Sequence, residues 1–309
     1  MAEHVPPFSS LATAPVVSAI VPAAGLGTRL SPLSLGCPKE LLPIGLYPAL
    51  TACLLEAAAA GLSDLVVVSS PHKPGLRALS LALAAALDAP TSSLSAPSPQ
   101  TLALARLWQR LRVRIVDQPQ PLGVLDAVER GLEALGAAAP SFAVAVLFPD
   151  LLHLPDQTAL THLVAAHQKT GAAVFGLRRA RRDDRPGSTL SVRLGPPWAD
   201  AAKEQIPLST PLPIVALAPA QGRPDELLTT FGQVQTPAWN AALHRHCRSD
   251  DRAALCDAGF LAALNDLAQR GGLYGTLLAG DIVDLGTLAG YGEVVRRFSV
   301  ASAHLRGVP

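Results

Sequence analysis

Charge of either sign is scarce in this chain and almost balanced: 25 Lys and Arg stand against 24 Asp and Glu, a formal net charge of +1. Such a balance gives no long-range field to steer the molecule onto nucleic acid or an anionic membrane, so neither is expected as a partner. Any phosphate must then be gripped locally. Long apolar runs are also missing. Alanine and leucine abound, but proline, glycine and charge interrupt them before any stretch reaches the ~20 residues of a membrane span. Residues 1–15 lack the basic start and continuous apolar region of a secretory signal and read as a flexible N-terminal tail. Four cysteines, Cys37, Cys53, Cys247 and Cys256, are too few for a disulfide framework, and they are expected to stay reduced in the cytoplasm. His244, His246, Cys247 and Cys256 lack the paired short spacings of a structural zinc site, so they read as surface histidines beside buried thiols.

Two common nucleotide fingerprints are absent as well. Gly25 and Gly27 are followed by Leu30 where a dinucleotide-binding loop needs its third glycine, and by Thr28-Arg29 where a Walker loop needs Lys-Ser/Thr. No acidic residue follows ~20 positions on in the right setting, which excludes a nicotinamide-dependent oxidoreductase. What is there instead is a short β-branched run, Val17 to Val21, closed by Pro22 and turning at Gly25 and Gly27. Both glycines are expected to adopt positive φ and to let main-chain N–H groups approach a ligand, the geometry that cradles phosphate oxygens. Arg29 offers a planar fork for two phosphate oxygens, and Lys39, ten residues later, a compact point charge.

Beyond the loop, helix-like and strand-like segments alternate, the pattern of a largely parallel sheet covered on both faces. Helices are expected at Pro48–Ala60, Leu76–Leu87 and Leu102–Leu111, and strands at Asp64–Ser70, Arg112–Val116, Phe142–Phe148 and Ala172–Leu177. Residues 88–100 form a proline- and serine-rich connector without periodicity, expected to be mobile. From Phe231 onward a strand, helices at Pro237–His246 and Asp251–Arg270, and a strand at Leu273–Leu278 are expected.

The string Ala24-Gly25-Leu26-Gly27-Thr28-Arg29, with Pro38-Lys39-Glu40 and Leu42-Pro43, resembles the signature of the sugar-1-phosphate nucleotidyltransferase family. Its uridylyl branch, the bacterial UDP-glucose pyrophosphorylases, is nearer than its thymidylyl branch. The resemblance implies an α/β, Rossmann-like nucleotide-diphospho-sugar transferase fold over residues 16–300, with a mixed central sheet and helices on both faces. It implies an enzyme that takes UTP or dTTP and a sugar 1-phosphate, glucose 1-phosphate first, to the nucleotide sugar and pyrophosphate, with Mg2+ as cofactor. A homo-oligomer is left open. Ala24, Gly25, Gly27 and Thr28 match the family's nucleotide loop, and Arg29 and Lys39 its catalytic cations.

Asp117 to Ala127 is similar to the family's base-recognition loop, in which a glutamine and a glycine five residues later read the pyrimidine edge; here these are Gln118 and Gly123. Asp126 replaces the histidine usual in the uridylyl branch. Asp150, after the strand ending at Phe148, matches the metal-binding and catalytic aspartate. Its partner is expected to be Asp284, in the string Gly280 to Thr287 followed by Tyr291, with Asp281 as the rival. Two distant carboxylates on one magnesium ion suit a charge-neutralising bridge between phosphates.

Residues 176–230 depart from the family. Its Glu-Lys-Pro element, which holds sugar hydroxyls and the sugar phosphate, corresponds to Leu217-Ala218-Pro219. An apolar pair cannot bind an anionic phosphate, and a lost charge-assisted contact costs ~1.5–3 kcal/mol. Arg178, Arg179, Arg181 and Arg182 are the nearest alternative cations. A non-catalytic paralogue that binds nucleotide and regulates an active enzyme is the competing expectation.

Overall fold

The computed structural model describes residues 15–89, 96–136, 142–154, 158–182, 184, 189–199, 206–236, 239 and 258–300. The expected N-terminal tail, the centre of the 88–100 connector, nearly all of the helix at Pro237–His246, and the group His244, His246, Cys247 and Cys256 lie outside these residues.

In chain order the elements are β1 (Val16–Pro22), α1 (Leu33–Gly36), β2 (Pro43–Ile44), β3 (Tyr47–Pro48), α2 (Thr51–Ala59), β4 (Asp64–Ser69), α3 (Pro74–Asp88), α4 (Pro99–Arg110), β5 (Arg114–Asp117), α5 (Val124–Ala134) and β6 (Ala143–Leu147). They continue as β7 (Leu151–Leu154), α6 (Ala159–Thr170), β8 (Ala173–Arg179), β9 (Leu190–Leu194), β10 (Pro211–Pro219), β11 (Leu227–Gln235), α7 (Ala258–Gln269), β12 (Leu273–Leu277), β13 (Asp281–Asp284) and α8 (Leu288–Val300). Two compact units arise. One comprises residues 17–137, 147–158 and 281–309, the other residues 1–16, 138–146 and 159–280.

In the first unit β4 lies between β1 and β5, all parallel, with Ile20 opposite Val66 and Val67 opposite Ile115. Parallel strands are covered on both faces, and Ala19 to Val21 and Leu65 to Val68 are accordingly fully buried, as their unbroken apolar runs require. Because the strands run the same way, the segments after β1, β4 and β5 all leave at one sheet edge, where open α/β folds bind ligands. Helix α5 seats itself by a glycine: a Cβ on Gly131 would lie 2.6 Å from Ile20 Cγ2, so only glycine allows this approach to β1. A second ladder pairs β7 with β13 antiparallel, and Ile44, Leu152, Leu154, Val283, Leu285 and Val294 form the core behind it.

In the second unit the spatial strand order is β6-β11-β8-β12-β10-β9. It is mixed: β8 and β12 are parallel, whereas β10 runs antiparallel to β12 and β9, and β11 to β8. Trp239 anchors its core edge-on between Phe175 and Phe260, at centroid distances of 5.3 and 6.3 Å.

Two boundaries differ from expectation for local reasons. Pro48 does not open a helix; it pairs with Pro43, while Ala49 N–H and Leu50 N–H donate back to Leu42 and Glu40 carbonyls, so α2 starts only at Thr51. Helix α4 begins at Pro99, not Leu102, because Ser98 caps it by accepting from Thr101 N–H and Pro99 takes the first helical position.

Candidate functional site

The loop after β1 begins as a continuation of the sheet, with Ala23 N–H donating to Val68 O at 2.7 Å. Only one of its glycines needs the left-handed region, contrary to the expectation for both. Gly27 sits at φ 67, ψ 27, where a side chain would also press on Ser34, and it leads into a single 3₁₀ turn, Thr28–Leu30. Gly25 is absent from the positive-φ residues; a Cβ there would meet nothing within 4 Å. Its contribution is an uncovered main chain. Leu30 is buried and pins the turn, which leaves Ala24 inside and Thr28 and Arg29 at the surface.

Two cations and two carboxylates meet beside this loop. Lys39 Nζ lies 2.5 Å from Asp150 Oδ2, with side chains only 14% and 18% exposed. Arg29 reaches Asp284 Oδ2 at 3.3 Å, a looser pair 65% and 40% exposed. The β7–β13 register explains how carboxylates so far apart in sequence come together: Asp284 stands opposite Leu151, the residue after Asp150, and Leu285 N–H donates to Asp150 O at 2.6 Å. Asp284 Oδ1 is fixed by Gly286 N–H at 2.7 Å. A Cβ added to Gly286 would lie 2.8 Å from Asp284 Oδ1, 2.9 Å from Arg29 Nη2 and 3.3 Å from Asp150 Oδ2. Gly286 therefore marks the point on which these groups converge. The rival Asp281 is three residues away on β13, hence on the opposite face, opposite Leu154 and paired with Arg297 at 2.8 Å.

A buried pair that sequence reasoning missed supports both halves of this arrangement. Lys73, in the segment after β4, donates to Ala23 O at 2.8 Å and to the two Glu40 oxygens at 3.1 and 3.0 Å. It thereby ties the first residue of the glycine loop to the residue after Lys39. Burial pushes the Glu40 carboxyl above its ordinary range against the pull of Lys73, and burial pushes Lys73 below its own. The available signal was a lone lysine at the carboxyl end of a buried parallel strand, in Ser70-Pro71-His72-Lys73-Pro74.

Gln118 and Gly123 form a second group at the end of β5. Gln118 N–H donates to Ser69 O, and its side chain is buried. Gly123 opens α5 at φ 93, a conformation that favours glycine, and a Cβ there would enter empty space.

In the second unit Leu217 is a core residue whose main chain is bracketed by Asn265: Leu217 N–H donates to Oδ1 at 2.8 Å and Nδ2 donates to Leu217 O at 3.1 Å. Arg178 donates to Asp184 through both terminal guanidinium nitrogens, Nη1 and Nη2, and Arg181 N–H donates to the same carboxylate. Among the described residues, Cys37 and Cys53 are free thiols, and no helix is long and apolar enough to cross a membrane.

A glycine turn, two cations and two carboxylates thus stand together in an α/β protein, after the parallel strand β1 and beside the antiparallel β7–β13 ladder. Residues 18–188, more than half of the chain, match the pattern of the family described as nucleotidyl transferase. The chain belongs to that family. Among its relatives, a Bacillus subtilis (strain 168) protein with the provisional name UTP–glucose-1-phosphate uridylyltransferase is 32% identical over 169 residues, 55% of this chain and 60% of the relative. UTP–glucose-1-phosphate uridylyltransferase 2 of Staphylococcus saprophyticus is 30% identical over 170 residues, 53% of this chain and 54% of the relative. The chain thus spans little more than half the length of these curated relatives. A UDP-glucose pyrophosphorylase solved with UDP-glucose shares the fold at a TM-score of 0.71 and 20% identity, over 92% of this chain and 99% of that one. A UTP-bound enzyme of the same kind from Acinetobacter baumannii superposes with a TM-score of 0.67 at 20% identity, over 92% of this chain and 94% of that one.

Proposed function

We propose that the protein transfers a uridylyl or thymidylyl group from UTP or dTTP to a sugar 1-phosphate, with glucose 1-phosphate the first candidate, giving a nucleoside diphosphate sugar and pyrophosphate. The observation that carries the reading is the convergence of Arg29, Asp150 and Asp284 over Gly286, with Lys39 on Asp150. The relatives' names point the same way.

In this reaction an oxygen of the sugar phosphate bonds to the α-phosphorus while the bond from that phosphorus to the bridging oxygen breaks, so pyrophosphate leaves with the electron pair. The attacking phosphate is already ionised, and no protein base is required. Catalysis then rests on positioning and on charge stabilisation. Main-chain N–H groups between Gly25 and Thr28, together with Arg29, would hold the β- and γ-phosphates. Lys39 would leave Asp150 in part to balance charge at the reacting phosphorus. Gln118 and Gly123 would receive the base. Asp150 and Asp284 suit a magnesium ion, which takes few carboxylates and fills its remaining positions with phosphate oxygens and water. When bound, that ion would supply charge neutralisation between the two substrates.

Pyrophosphate release measured over a matrix of nucleoside triphosphates and sugar 1-phosphates tests the proposal. Release that needs both a pyrimidine triphosphate and a sugar phosphate supports it; release from no combination refutes it. One observation favours a second reading, a nucleotide-binding paralogue without turnover. Leu217 is built into a core, and Arg178, the first of the candidate substitute cations in sequence, is already held by Asp184. Nucleotide binding without pyrophosphate release would establish it.

A further inference from the structure

The Gln118 carboxamide is not free to turn. Its Nε2 donates to Gly123 O at 2.9 Å and to Asp126 Oδ2 at 2.8 Å. Both partners can only accept, so the nitrogen must face them, and a turned amide would set its oxygen against a carbonyl and a carboxylate. Asp126 is itself held, by Arg130 Nε at 2.9 Å on Oδ2 and Arg130 Nη2 at 3.3 Å on Oδ1. Both amide hydrogens are thus used within the protein. Oε1 alone remains; it accepts no hydrogen bond among the described residues and is not among their fully buried, unpartnered atoms, so it keeps a little accessible surface on an otherwise buried side chain. At Gly123, whose carbonyl holds the Gln118 nitrogen, the space a Cβ would enter is empty.

We propose that Asp126 is a specificity-determining positioning residue: it locks Gln118 with its carbonyl outward, so that the site takes a base presenting a ring N–H and rejects one presenting a ring lone pair. This rests on the reading of Gln118 and Gly123 as the base site. An amide free to turn would satisfy either kind of pyrimidine, offering its oxygen to the N3–H of uracil or thymine and its nitrogen to the N3 lone pair of cytosine. The locked amide offers only the acceptor. Cytosine held in the same place would set a lone pair against Oε1 and leave both atoms unpaired, a repulsive element that produces selectivity.

The test is titration calorimetry with UTP, CTP and N3-methyl-UTP on the unmodified protein and on Asp126→Asn. In the unmodified protein UTP should bind about tenfold or more tightly than either of the others, since one lost hydrogen bond with the acceptor left facing the base unpaired is worth roughly that factor. In Asp126→Asn, Arg130 retains the oxygen of the new carboxamide and turns its nitrogen toward Gln118, so a reversed Gln118 oxygen gains one donor and faces a single acceptor, Gly123 O, in place of two. The UTP to CTP ratio should fall at least about threefold, whereas a merely structural defect would weaken both nucleotides alike. Equal binding of UTP and CTP by the unmodified protein, undiminished binding of N3-methyl-UTP, or an unchanged ratio in a folded variant would overturn the proposal while leaving nucleotide binding intact. If the unmodified protein binds none of the three, the base-site reading itself fails, and this inference with it.

Discussion

Replacing Lys73 by methionine should expose how far the loop depends on a buried charge. The side chain lengths are similar, so packing is largely kept, but three hydrogen bonds vanish: one to Ala23 O and two to Glu40. Glu40 is completely buried and would be left as an uncompensated carboxylate. Removing one partner of such a pair costs about 3–5 kcal/mol. Burial already raises the Glu40 carboxyl above 4.5 with Lys73 opposing, and without Lys73 it must rise further. An acid whose folded pKa exceeds its unfolded value binds extra protons in the folded state, so stability falls as pH climbs from about 4.5 through the folded value. The penalty of Lys73→Met should accordingly be smallest near pH 5 and largest above pH 8. Urea unfolding followed by far-ultraviolet circular dichroism at both pH values measures it. Adding Glu40→Gln to the variant should recover part of the loss at pH 8 and little at pH 5. A penalty below about 1 kcal/mol, or one independent of pH, would refute the argument.

Other perturbations reach different parts of the account. Asp150→Asn and Asp284→Asn should each abolish pyrophosphate release with melting temperatures little changed, and each should weaken binding of Mn2+ followed by its paramagnetic effect on water relaxation, because a ligand's charge is lost at nearly constant volume. Gly286→Ala places a methyl among Asp284, Arg29 and Asp150, so kcat/KM should drop at least about tenfold while stability, measured by urea, changes by less than about 1 kcal/mol. Gly131→Ala forces a methyl into Ile20 and should destabilise by roughly 1–3 kcal/mol without touching the site directly. Hydrogen bonds from Arg112 hold the Asp64 carboxyl below its ordinary 3.8. That stabilisation is present above 3.8 and is lost as pH falls through the lowered folded value, so the small stability gap between the unmodified protein and Asp64→Asn, followed by urea unfolding, should close in acid.

The glycine loop and Asp150 were legible in sequence because each follows a strongly patterned strand. Val17 to Pro22 announces β1 and therefore the loop, and the apolar run ending at Phe148 fixes where Asp150 must emerge. Asp284 could be preferred to Asp281 only by resemblance; the β7–β13 register and strand parity, invisible in sequence, are what put Asp284 beside Asp150 and Asp281 on the other face. What was not legible depends on contacts between distant segments. Nothing near Lys73 in sequence discloses Glu40 or the Ala23 carbonyl, and Gly286 looks like any turn glycine until three side chains are seen to converge on it. Gln118 stood out in sequence, but the contacts that orient its amide, to Gly123 O and to Asp126 eight residues away across a helix start, did not. Pro48 misled because a proline favours helix starts and strand ends alike, and main-chain bonds from Ala49 and Leu50 back to Leu42 and Glu40 chose the latter.

The claim that these groups form a transfer site is tested most directly by pyrophosphate release from UTP and magnesium, with and without glucose 1-phosphate, in the unmodified protein and in Asp150→Asn. The account predicts release that requires the sugar phosphate, matches nucleotide sugar formed mole for mole, and disappears in the variant. Release that persists undiminished in Asp150→Asn, or its absence from an unmodified protein shown to bind UTP when a full range of sugar 1-phosphates is offered, would contradict it.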